Sequence, residues 1–160
     1  MLRITIPSKE LFDEMTYEFI YLEEETIELE HSLVSISKWE SKWHKPFLSD
    51  KNKTNEEVLD YVSCMSLNGP IKSDLLQRLS NDNFMQINNY INDSMTATTF
   101  NELGSRPGRE IITSELVYYW MVAFNIPFEC QYWHLNRLLT LVKVCNIKNS
   151  PEKKMSKEEI

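Results

Sequence analysis

Two residue types able to do nucleophilic or metal chemistry, Cys130 and His134, stand four apart in NIPFECQYWHLNRLL, residues 125–139. A spacing of four places two side chains on one face of an α-helix. Pro127 suits a helix's first turn, so a helix over about 127–147 predicts that thiol and imidazole are neighbours. A catalytic pair would use His134 as the base for a Cys130 thiolate, whose formation the positive end of the helix favours. No Asn or Asp is recognisable nearby to orient that base. A zinc site needs three or four ligands, and the other histidines, His31 and His44, are not spaced to complete one. The packing alternative is therefore preferred: Cys130 fills space and His134 hydrogen-bonds at a helix surface. No catalytic residue, no metal and no cofactor is expected, and a small Cys130/His134-dependent enzyme ranks last among the readings.

Other motifs carry less. GxGxxG, P-loop, HExxH and GxSxG patterns are absent. GSRPGRE at 104–110 has the Gly and Arg of an anion-binding loop but neither the preceding strand nor the following Lys-Ser/Thr, and it reads as a surface loop. KWESKWHKPF at 38–47 mixes Trp39 and Trp43 with three lysines and a histidine. Aromatics beside cations can stack on single-stranded nucleic acid. Tryptophans four apart on a helix first form one apolar stripe, so core packing comes before a protein-binding surface, and nucleic acid comes last.

The elements that must position these residues follow from periodicity. LRITI at 2–6, YEFIYL at 17–22 and ETIELEH at 25–31 alternate as strands, with PSKELFDEM turning the chain and Glu23–Glu24 joining the last two. Three short strands in one small antiparallel sheet are expected, with acids on the wet face. The period then lengthens. Ser32 caps a helix to Trp43, Thr54 with Glu57 opens one to about 67, and shorter helices cover 72–80 and 81–93. Residues 92–110 read as a loop. Thr113 or Ser114 caps a helix ending at Asn125, and the helix after it, apolar nearly all round, is expected at the centre of the bundle. The fold class is α+β, predominantly helical: an N-terminal hairpin or meander at 1–31, a five- to six-helix core at 32–147, and a polar tail at 148–160.

Charge is unevenly placed. The net charge is −7, and residues 1–30 hold Arg3 and Lys9 against nine acids, so the whole excess lies in that segment. Such a block repels phosphate. It is either a solvated strand face or an acidic surface for a basic partner. Three widely spaced cysteines without CxxC fit reduced thiols in a cytosolic protein. MLRITIPSKE lacks the apolar core of a signal peptide, and LVYYWMVAF at 116–124 is far shorter than the ~20 residues that span a bilayer, so no membrane association is expected.

The segments HSLVSISKWESKWHKPFL and KTNEEVLDYVSCM, with REIITSELVYYWMVAFNIPFECQYWHLNRLLTLVKVCNIKNSPEKKMS, resemble the tail assembly chaperones of tailed bacteriophages over about residues 1–157. That resemblance implies a non-enzymatic protein of the host cytoplasm. It would bind the tape measure protein, keep it soluble while the tail tube assembles, and be absent from the mature virion. The tail tube protein and self-association are further candidate contacts. The family brings no catalytic residues. A structural phage component, such as a connector- or baseplate-associated subunit, is the rival reading. A groove rich in aromatic residues or methionine suits amphipathic helices, and Trp39, Trp43, Phe47, Tyr118, Met121 and Tyr132 are the candidate partner contacts.

Overall fold

The computed structural model describes residues 1–100 and 110–150. All but the last residue of GSRPGRE, and the expected tail from residue 151, lie outside them. The chain is α+β and mainly helical, with the strands gathered at the N-terminus.

Four strands form instead of three: β1 (Leu2–Ile6), β2 (Lys9–Asp13), β3 (Glu18–Leu22) and β4 (Glu25–Leu29). They make two separate antiparallel ladders, β1 with β4 and β2 with β3. The same register governs both, from Leu2 opposite Leu29 to Asp13 opposite Glu18, with no residue inserted on either side. The N-terminal segment is thus one long hairpin whose pairing lapses at Pro7–Ser8 and Glu23–Glu24. The expectation that Glu23–Glu24 folds β4 back onto β3 is overturned. Two glutamates supply none of the positive-φ or pre-set turn geometry of Gly, Asn or Pro, and they carry the strand onward. The reversal lies at Glu14–Tyr17, where the Asp13 carboxylate accepts the Met15 N–H (2.9 Å) and Tyr17 takes a positive φ of 54°.

The proximal ladder belongs to the core. Ile4, Ile6, Ile27 and Leu29 are buried on its inner face, while Arg3 on the other face donates to the Glu28 carboxylate at 2.9 Å. Each fully buried aliphatic contributes about 1.5–3 kcal/mol of transfer free energy.

Among the described residues six α-helices follow: α1 (Leu33–Trp43), α2 (Asn55–Met65), α3 (Ser73–Gln77), α4 (Asn81–Ile91), α5 (Ser114–Ala123) and α6 (Leu135–Asn149). Local chemistry sets their starts. Ser32 and Ser35 cap α1 reciprocally, and Ser80 and Asn83 do the same for α4, satisfying backbone N–H groups that no helix turn reaches. Thr54 caps α2 and Thr113 caps α5. Leu33, Ile36 and Trp39 of α1 pack inward with Tyr61, Val62 and Met65 of α2, Val117 and Met121 of α5, and Leu135 and Leu138 of α6.

The expected helix over 127–147 is two elements. Phe128–Tyr132 is a 3-10 helix, Trp133 and His134 are extended, and α6 starts only at Leu135. The break has a tertiary cause: His134 forms a β-bridge with Ser32, and the Leu135 N–H goes to the His31 carbonyl at 2.7 Å. Nor is α6 buried all round. Leu135, Leu138 and Val142 are its buried residues, with Leu139, Leu141 and Cys145 only partly covered.

Candidate functional site

The break at residues 133–134 removes the premise of the Cys130/His134 pair, since the two residues no longer share a helix face. His134 is buried, not at a helix surface, and both ring nitrogens are occupied. Nδ1 accepts the Asn136 N–H at 3.2 Å, so the ring proton sits on Nε2 and goes to the Tyr90 carbonyl at 2.7 Å. Neither nitrogen is left to take a thiol proton. Burial, helped by Glu129, pushes the Cys130 thiol up, which opposes thiolate formation. Among the described residues, no group of three His, Cys, Asp or Glu side chains is arranged to hold a metal ion.

His134 instead closes a buried polar knot at the hairpin's root. Its ring lies 5.2 Å from that of His31, and the His31 Nδ1 is 2.6 Å from the Tyr61 hydroxyl. That hydroxyl lies 2.9 Å from Ser35 Oγ, which donates to the Ser32 carbonyl. One proton per bond gives a single chain: His31 Nδ1–H to Tyr61, Tyr61 O–H to Ser35, Ser35 O–H to Ser32. Burial first, and the neighbouring His134 second, push the His31 imidazole down to about 3.

The aromatic residues expected to meet a partner separate into inner and outer sets. Trp39 is fully buried and donates its indole N–H to the Glu57 carbonyl at 2.9 Å; Met121 is equally enclosed. Both are therefore withdrawn from any partner, because they complete the core between α1, α2, α5 and α6. Phe47 is half-buried against Tyr61, with ring centroids 4.0 Å apart, and Trp43 is half-buried with its indole N–H on Asp60. Tyr118 is half-buried and donates to the Gln131 side chain. Of the six, Tyr132 alone is well exposed, at 63%.

The large exposed apolar surface lies elsewhere, on the distal ladder. β2 and β3 project from the body, and none of their side chains joins the core cluster. Strand alternation places Phe12, Phe19 and Tyr21 on one face and Leu11, Ile20 and Leu22 on the other. Both faces are wet: Phe19 is 70% exposed, Tyr21 65%, and Met15 at the tip 92%. Phe12 contacts Phe19 at 5.2 Å between centroids and Tyr17 at 6.4 Å, which stiffens the ribbon without hiding it. Glu10, Asp13, Glu14, Glu18, Glu23 and Glu24 decorate it against Lys9 alone, and among the described residues none of these six acids has an ion-pair partner.

The arm is held at its root by Arg78, just beyond α3. One guanidinium nitrogen donates to the Pro7 and Glu23 carbonyls, both at 2.7 Å, and so straddles the two strands where their own pairing lapses. The acidic excess and the 17–22 strand were readable in the sequence. Strand β2 was not, because the adjacent Leu11 and Phe12 obscure the two-residue period; the usable signal was Asp13 preceding a four-residue reversal between two apolar runs.

Comparison with protein-family models, with curated proteins and with solved structures gives no match to this chain.

Proposed function

We propose that this protein is a non-enzymatic binding protein that holds an aggregation-prone polypeptide through its N-terminal arm, in the manner of a phage tail assembly chaperone holding its tape measure protein. The observation that carries this reading is the arm, a ribbon with apolar residues exposed on both faces and outside the core. A two-stranded hairpin is marginal in water, and apolar surface of this kind marks an interaction site. The occupied imidazole of His134 and the raised thiol of Cys130 leave the one candidate catalytic pair without an activated group.

In this reading the protein acts in the host cytoplasm, covers apolar stretches of the tape measure chain until the tube forms, and is then displaced and left out of the virion. The test is co-expression with a tape measure protein, reading the fraction of that chain recovered soluble. The native protein raises it, and a variant with Phe12, Phe19 and Tyr21 all changed to Ser does not. Equal solubility with and without the protein rejects the chaperone role. Equal solubility with the native and triple-Ser proteins rejects the arm as its site.

A further inference from the structure

The two edges of the hairpin are not equivalent. On the β1 side the edge is closed by α4, whose Asn83 side chain donates to the Thr5 carbonyl at 3.0 Å. On the β4 side a short third strand has already begun. Ser66 bridges Leu29, the Leu67 N–H goes to the Glu28 carbonyl, and the Glu30 N–H goes to the Met65 carbonyl, both at 2.9 Å. Residues 65–67 thus occupy the outer edge of β4 at Glu28 and Glu30 and then turn away at Gly69, which has a φ of 89°.

Outward-pointing backbone groups recur every second residue along a strand edge. Thr26, two before Glu28, therefore turns its N–H and C=O to the same side, and among the described residues nothing pairs with them. A cleft of about 370 Å³ stands at that place, lined by Leu22, Thr26, Ser66, Asn68, Ile71 and Arg78 among others. Beyond it the edge continues along β3, which among the described residues pairs with β2 alone. Charge distinguishes the edges as well. The strand line from Glu18 to Glu30 carries six glutamates and no base. Glu28 and Glu30 are already paired, with Arg3 and the N-terminal amine. Glu18, Glu23, Glu24 and Glu25 have no ion-pair partner among the described residues.

We infer that this edge takes an extended, cationic segment of the partner as an added strand, starting in the cleft at Thr26 where residues 65–67 leave off and running outward along β3. The inference rests on the arm being the binding surface and specifies the chemistry of what it binds. Main-chain pairing supplies the attachment, alternate apolar side chains of the guest cover one face of the ribbon, and its Lys and Arg residues neutralise the free glutamates on the other. A second copy of the arm is excluded as occupant by the same charge, since it would bring acids to acids.

The probe is a fluorescein-labelled octapeptide of alternating Arg and Val, titrated with the full chain and followed by anisotropy, with a Glu–Val octapeptide as control. The Arg–Val peptide binds, the Glu–Val peptide does not, and raising salt weakens the binding. Methylating alternate backbone nitrogens of the Arg–Val peptide keeps its charge and removes its pairing edge, and it weakens binding at least about tenfold. On the protein, Thr26→Pro deletes an N–H that the hairpin leaves unused and gives the same loss; the methylated peptide makes the same test if that variant misfolds. Hydrogen exchange with bound peptide shows new protection at 18–22 and 26 and none at 9–13. Failure of the Arg–Val peptide to bind, binding indifferent to methylation, or protection confined to 9–13 overturns the inference. These results are independent of the solubility assay: the peptide can bind where no tape measure protein is rescued, and rescue can occur through an arm that adds no strand.

Discussion

Lowering the pH titrates the buried root of the hairpin in a way whose size can be worked out. His31 has a pKa near 6.5 when unfolded and is pushed down to about 3 in the fold, chiefly by burial. Between those values the unfolded chain holds a proton that the folded chain does not. The neutral imidazole's contribution is therefore complete above about pH 6.5 and is lost as the pH falls toward 3. The slope well inside that window approaches ~1.4 kcal/mol per pH unit, so going from pH 8 to 5.0 costs about 2 kcal/mol from this one group. Other groups titrate there too, so the measurement is a difference. Urea unfolding at fixed ionic strength from pH 5 to 8 is compared between the native protein and His31→Asn, whose amide nitrogen replaces the Nδ1 donor to Tyr61 and does not titrate. The variant is less stable at pH 8, and its stability falls less steeply below pH 6.5. Parallel curves in the two proteins would show that His31 is protonated as easily folded as unfolded, and would refute the assignment of the buried hydrogen-bond chain.

Other outcomes follow from the same packing. Trp39→Ala empties the centre of the core and removes the indole hydrogen bond to the Glu57 carbonyl, so a loss of about 3–5 kcal/mol in denaturant-measured stability is expected. Arg78→Gln releases the Pro7 and Glu23 carbonyls, and amide exchange in 9–13 and 18–22 accelerates while that of α1 and α2 does not change. Cys130 resists a thiol reagent in the native protein at pH 8 and reacts on addition of denaturant, because its thiol is both buried and pushed up. Rapid native reaction at Cys130 would revive the nucleophile reading.

What could be read from the sequence was what local chemistry decides. Ser32, Thr54 and Thr113 cap the helices they were expected to cap, because a side-chain oxygen three residues before a backbone N–H works without tertiary help. The alternation of Ile4 with Ile6 and of Ile27 with Leu29 likewise identified the buried face of the proximal ladder. The interruption at Trp133–His134 was invisible, since apolar residues flank it closely, Tyr132 before and Leu135 after, and only the distant His31 carbonyl decides where α6 begins. The arm was half legible: its acids were evident, but alternation in β3 does not reveal whether the apolar side is covered. Trp39 was expected first in the core and second at a partner surface, and a tryptophan on a lysine-rich helix gives no sign of its own as to which holds; its ring is enclosed.

The attachment of the arm through Arg78 has a consequence for how such a protein can change over time. Since none of the side chains of 9–22 joins the core cluster, that stretch can be rewritten while the rest stays as it is and, if the arm holds a client as proposed, can follow that client as it drifts. A transplant of those residues between two such proteins should exchange their choice of client and leave both melting temperatures where they were.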